Sequence, residues 1–320
     1  RIDKMHLVFD AYEAAAAKGD LSIEQVTLGF KLLSALYQRG ITGKHVGDLE
    51  KNRNINWNRD IDELVIDLNI VFDLLLSDTY FKYWKAWGKS ISKLLGAAIA
   101  LEFVVVIYED WVEKGKPSAG SASSKAVQRD ARILLDKLIC EYGTGSWLGS
   151  GDKKMAYHIS NRADRLKVMP LASWEKVIEG ACHGEYNGQR LARKHVTPLL
   201  YYTYVLQDLY PSNIDNVTFD IDHTIPQAWF ESNPCADQKL KDSLANLSLL
   251  PKKENISKGE KRLKDITEPW LKSQIVQYTG IQESEFEKYS DITHLDELRN
   301  KKQEMYLELF RTMRESKLAY

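Results

Sequence analysis

"VTFDIDHTIPQAWF", residues 217–230, sets an Asp and a His side by side at the end of a β-like run, just before Pro226. Alone, such a pair is one more polar strand end. The residues that follow change its meaning. "SLANLSLLP", residues 243–251, reads as a second strand, and "KKENISKGEKRLKDI", residues 252–266, as a helix. The predicted order is strand, polar loop, strand, helix. It puts Asp222 and His223 on the first strand, Asn246 at the start of the second and Asn255 at the head of the helix.

These residue types suit metal-dependent hydrolysis of a phosphodiester. A neutral imidazole can take a proton from water because its pKa lies near working pH. Asp and Asn supply hard oxygen ligands for a divalent ion and leave positions open for water and phosphate. Asn246 carries no basic group, and its expected task is to brace the loop that orients His223. Adjacent strand residues point to opposite faces. Asp222 and His223 therefore share one metal-bound phosphate if the strand ends or bulges at Asp222, and Pro226 favours such an ending. A regular ladder through both residues, with opposed side chains, is the outcome that contradicts this assignment. Asp220 is expected to be a solvated carboxylate.

The formal net charge of the chain is -1, so a polyanion site must be a local patch. Residues 239–264 provide one, with eight Lys or Arg against three acids. Lys252, Lys253 and Lys258 are candidate phosphate contacts. Arg193, in "GQRLARKH", is another.

"FDIDHTIPQAWF" and "DSLANLSLLPKKENISKGEKR" together resemble the HNH, or ββα-metal, endonuclease motif over roughly residues 216–266. The resemblance implies His223 as general base and Asp222 with Asn255 as ligands of Mg²⁺, or of Mn²⁺. It further implies Asn246 as a positioning residue and DNA as the substrate. The wider arrangement looks like the C-terminal half of GmrSD-type proteins, a plan shared by SspE-like antiphage nucleases. There the HNH module follows an N-terminal nucleotide-hydrolysing domain. The chain starts without Met in helix-like sequence, so a fragment lacking that domain is the expectation.

The rest of the chain reads as mainly helical. Ser22 and Gln25 have capping-box spacing. Ile61, Leu64, Leu68, Val71 and Leu75 would share one helix face, and Leu298, Met305, Leu309 and Met313 another. The run at residues 94–108 contains Glu102 and is too short to span a membrane, so it is expected to be buried. Residues 113–126 form a Gly, Ser and Pro-rich loop. "YGTGSWLGSGDKK", residues 142–154, lacks the Gly-Lys-Ser/Thr ending of a P-loop and reads as a plain loop. Residues 170–207 read as helix throughout. Trp84, Trp87 and Trp111 read as core, and His183 and His195 as structural or surface residues.

Three sparse cysteines with no CxxC pair argue against a disulfide framework and fit a cytoplasmic setting without membrane contact. The expected class is α+β, mainly helical, with a small ββα-metal module. The expected division is a helical domain over 1–207, the module over 208–270 and packing helices over 271–320. The expected function is Mg²⁺-dependent DNA nicking in restriction of foreign or modified DNA. The alternatives are an RNA-directed nuclease of the same chemistry, a catalytically silent DNA-binding or regulatory module, and a helical interaction scaffold.

Overall fold

In the computed structural model, which describes residues 27–319 apart from 58, 87–93, 148, 150 and 210–216, the apolar run at residues 94–108 folds into a buried central helix. Ser22, Gln25 and Trp87 lie outside the described residues. The first elements are α1 (Thr27–Gln38), α2 (Gly43–Asp48), α3 (Asp60–Ser77), α4 (Thr79–Ala86), the central α5 (Ala97–Glu113) and α6 (Ala122–Gly143). Helix α5 is apolar almost all round and is packed by α1, α6 and the next helix, α7 (Gly151–Ser160). Its carboxylate Glu102 is fully buried between Arg165 and His158, both at 2.8 Å. A buried charge needs such partners. The expected apolar face of α3 is buried in full, as are Trp84 and Trp111.

Helices α8 (Arg162–Arg165) and α9 (Leu171–His183) lead into a short hairpin, β1 (Glu185–Tyr186) and β2 (Gln189–Arg190), and then into α10 (Arg193–Leu206). The hairpin interrupts the continuous helix expected over 170–207. Its turn is Asn187-Gly188 with φ of 49° and 76°, the positive pair that a two-residue hairpin turn requires and Asn-Gly supplies.

The second sheet pairs β3 (Phe219–His223) with β4 (Leu247–Pro251), antiparallel, and α11 (Gln227–Ser232) lies in the connection. Helix α12 (Lys252–Lys258) follows β4 directly. It is shorter than the helix expected over 252–266. Gly259 adopts φ 53° and its N–H closes on the Asn255 carbonyl, ending the helix. An isolated hairpin is marginal in water. This one is covered: every residue of β4 is buried, α10 and α13 (Pro269–Thr279) pack against it, and α12 lies across β3. The Leu249 N–H donates to the Tyr204 hydroxyl at 3.0 Å, and that hydroxyl donates to the Tyr278 carbonyl.

The last helix, α14 (Leu295–Ala319), packs on α6, α9 and α10. Its buried line runs through Leu298, Lys302, Tyr306, Phe310 and Arg314. Met305, Leu309 and Met313 flank that line, partly buried. Arg314 donates twice to buried Asp136, at 2.7 and 2.6 Å, and Trp174 and Tyr202 complete that carboxylate's hydrogen bonds. One contiguous cluster of buried apolar side chains extends from Leu32 to Phe310 and takes in residues of all three sequence segments. No helix among the described residues is long and apolar enough to cross a membrane.

Lys302 is buried with its ammonium donated to the Thr279 carbonyl, at the C-terminal end of α13. Burial pushes its pKa from 10.5 down to about 7. Between those values the unfolded chain holds a proton that the folded chain lacks, so stability rises with pH across that window. Below it the full penalty remains. Lys302→Met is expected to raise stability by roughly 2–4 kcal/mol near pH 6. The gain should shrink as pH approaches 10, in urea melts at each pH.

Candidate functional site

The two strands carry the polar groups of the site to one end of the hairpin. Asp222 stands opposite Ser248 and His223 opposite Leu247. Asp222 is 5% exposed, yet it is charged by type and needs a cation beside it. Lys258, at the last turn of α12 and 1% exposed, provides one. Its ammonium donates to Asp222 Oδ1 at 2.9 Å and to the His223 carbonyl at 2.7 Å. Burial raises the Asp222 pKa, and Lys258 opposes that rise. Asp222 Oδ2 has one weak contact, Ser248 Oγ at 3.5 Å, and keeps acceptor capacity.

The His223 ring has other partners. Nε2 lies 3.0 Å from Asp242 Oδ1 and 3.1 Å from Gln227 Nε2. A proton on Nε2 satisfies Asp242 and leaves Nδ1 as the basic nitrogen, with the Gln227 amide turned to present its oxygen. Burial holds the imidazole below its ordinary pKa, Asp242 pulls the other way, and the charge of Arg193 adds to the lowering. His223 is therefore a neutral base at neutral pH.

Asn246 is fully buried and ties the loop ends together. Its Oδ1 accepts the Ile225 N–H at 2.8 Å, and its Nδ2 donates to the carbonyls of Ile225, at 3.1 Å, and Lys241, at 3.0 Å. Its own carbonyl accepts the Thr224 N–H. This matches the bracing geometry expected of it, although it precedes β4, which begins at Leu247 rather than at 243.

Asn255 is half-buried, three residues before Lys258 on α12. Helix neighbours at i and i+3 share a face, so Asn255 is on the side of α12 that meets β3. Asp220 is half-buried, opposite Leu250.

Three expectations change. The strand does not break at Asp222: the ladder is regular through both Asp222 and His223, the outcome that contradicts the expected sharing of one metal-bound phosphate by the two side chains. The two side chains have separate partners, Lys258 and Ser248 for one, Asp242 and Gln227 for the other. A bulge that presents both to one phosphate is absent, and what joins them is Lys258, which touches the Asp222 carboxylate and the His223 main chain. Lys258 itself is buried in that bridge and is not presented as a phosphate contact. The basic stretch is also partly neutralised. Lys239 pairs with Glu185, Lys261 with Glu268, Arg262 with Asp265 and Lys264 with Glu287. Lys252 and Lys253 remain exposed, the latter over the Trp270 ring, and Arg193 is exposed at the start of α10.

Asp242, Gln227 and Ser248 are the site residues that the sequence pattern did not single out. Asp242 counted there as one of three acids in a basic stretch. Its position, four residues before the bracing Asn246 in the loop that returns to the His, was the available signal.

Among the described residues no group of three or more His, Cys, Asp and Glu side chains converges as a metal cage. Mg²⁺ is commonly held by one or two protein oxygens, with water and substrate phosphate completing its shell. The spare Oδ2 of Asp222 and the Asn255 amide oxygen fit that donor chemistry. No family model, curated protein or solved structure matches the chain.

Asn246→Ala leaves the Ile225 N–H and two carbonyls without their buried partner. The expected loss is about 3 kcal/mol in urea unfolding, with loss of the His223–Asp242 contact in imidazole NMR spectra.

Proposed function

We propose that this chain is an HNH-type, Mg²⁺-dependent endonuclease that nicks DNA in the restriction of foreign or modified DNA. The observation that carries the reading is the antiparallel β3–β4 hairpin followed by α12, with His223 at the strand end and Asn246 holding the return loop. The strand, strand, helix order supports the motif's resemblance, while the regular ladder gives Asp222 and His223 separate partners.

In this mechanism His223 Nδ1 takes the proton of the attacking water. Asp242 orients the ring and stabilises the imidazolium that forms. Asp222 and Asn255 would hold the Mg²⁺, which would supply charge neutralisation at the leaving oxygen, and the Asp222 carboxylate must turn from Lys258 to serve the same phosphate as His223; Mn²⁺ suits the same donors. Exposed Lys252, Lys253 and Arg193 supply the positive field that draws the DNA backbone. A single base serves one strand per event, so double-strand breaks require a second site or a second visit.

One observation favours a second reading. Lys258 already neutralises Asp222, as a fixed cation would in a binding module that keeps the fold without the chemistry. Plasmid nicking separates the two. Wild type with Mg²⁺ should convert supercoiled plasmid to open circles. His223→Ala should lower the rate at least about 100-fold and Asp242→Asn about tenfold. Metal-dependent nicking that survives His223→Ala unchanged rejects the mechanism. A wild type that binds DNA and never nicks it supports the silent module. An RNA panel run alongside decides the substrate.

A further inference from the structure

The glycine-rich loop after α6 and the basic segment at the start of α10 meet at a cavity. It has a volume of about 190 Å³ and is lined by Tyr142, Gly145, Trp147, Lys194 and His195. That is more room than one water requires. His195 is 4% exposed, and among the described residues neither ring nitrogen has a hydrogen-bond partner. The indole Nε1 of Trp147, also buried, has none either. Buried polar atoms are rarely left unpaired, and three around one cavity call for an occupant.

The chemistry of the lining narrows the choice. Trp147 Nε1 donates only, and the Lys194 ammonium donates only. His195 offers one N–H. The pocket sits at the first turn of α10, a fourteen-residue helix whose N-cap, Ala192, makes no side-chain cap bond. Its leading N–H groups therefore add positive partial charge. Among the described residues no carboxylate lines the cavity. Donors on the lining residues, one full positive charge and a helix N-terminus suit an anion with several acceptor oxygens. A planar carboxylate offers two oxygens, whereas the end of a phosphate monoester offers three.

We infer that this cavity is a binding site for a phosphate monoester, held by Trp147 Nε1, His195 and Lys194 at the N-terminus of α10. The site stands apart from the nuclease reading, because none of its residues belongs to the Asp222–His223 cluster. It adjoins that cluster in one respect. Arg193, the residue before Lys194, is close enough for its charge to act on His223. The phosphate can come from the 5′ end of a nucleic acid strand or from a free nucleotide.

The test uses the full chain at fixed ionic strength. Inorganic phosphate is titrated by calorimetry, with the Trp147 indole N–H followed by NMR. Saturable binding with a shift of that resonance is expected. Trp147→Phe, which keeps a ring but removes the N–H, and Lys194→Met, at an exposed position, should each weaken binding about tenfold. No saturable binding to wild type overturns the proposal, since the cavity then holds water alone. Undiminished binding in a folded Lys194→Met variant also overturns it. The second arm compares a nucleoside 5′-monophosphate with an oligodeoxynucleotide bearing a 5′-phosphate or a 5′-hydroxyl. Tighter binding of the 5′-phosphorylated strand assigns the site to nucleic acid ends. Equal binding of the mononucleotide assigns it to a free phosphate monoester.

Discussion

A buried ammonium holds the site together. Lys258 reaches from the last turn of α12 to the Asp222 carboxylate and the His223 carbonyl, and both Lys258 and Asp222 are shielded from water. Asp222 cannot stay ionised there without a cation, and Lys258 cannot stay charged without Asp222. The pair therefore fixes α12 across the end of β3. Helix α12 in turn carries Asn255 on the face that meets the sheet. With β3 pinned, the chain turns at Thr224 and Ile225, and Asn246 ties that turn to the loop bearing Asp242. The orientation of the His223 ring is the end of this chain of constraints.

The module does not stand alone. Its two strands are too few to be stable by themselves, and the helices complete it. Tyr204 of α10 takes the edge N–H of β4 and passes a hydrogen bond to the end of α13. Lys302 of α14 reaches the same helix end, and Arg314 locks α14 onto Asp136 of α6. Polar groups thus sit at the joints between helices that apolar packing alone would let slide. The cost in desolvation is offset for Arg314, whose donors meet the Asp136 carboxylate, and not for Lys302, whose burial lowers its pKa.

Much of this was readable from residue order. The apolar face of α3 follows helical spacing, the burial of α5 follows from its apolar run, and the β-loop-β-α order follows from period and proline placement. Asp222 and His223 lie on the first strand as the pattern put them, whereas Asn246 precedes the second strand and Asn255 sits in the middle of the helix. The limits have physical causes. The Asn187-Gly188 hairpin carried a clear turn signal that the surrounding helical texture masked. The break of α12 at Gly259 depends on one left-handed residue in a sequence that otherwise favours helix. Lys258, Lys302 and Arg314 look like solvated charges in any periodicity reading, because burial is decided by a partner distant in sequence. The same holds for Asp242, whose role appears once the loop is folded back on His223. A regular ladder through Asp222 was equally invisible, since local sequence does not state where β4 stops pairing.

The central claim is that the Asp222–Lys258 pair organises the end of β3, and a double-mutant cycle tests it most directly. Asp222→Asn and Lys258→Met are each expected to cost about 3–5 kcal/mol in urea unfolding, because each strands a buried charge. The double variant should lose far less than the sum, revealing strong coupling. Additive losses, or single variants as stable as wild type, would contradict the account.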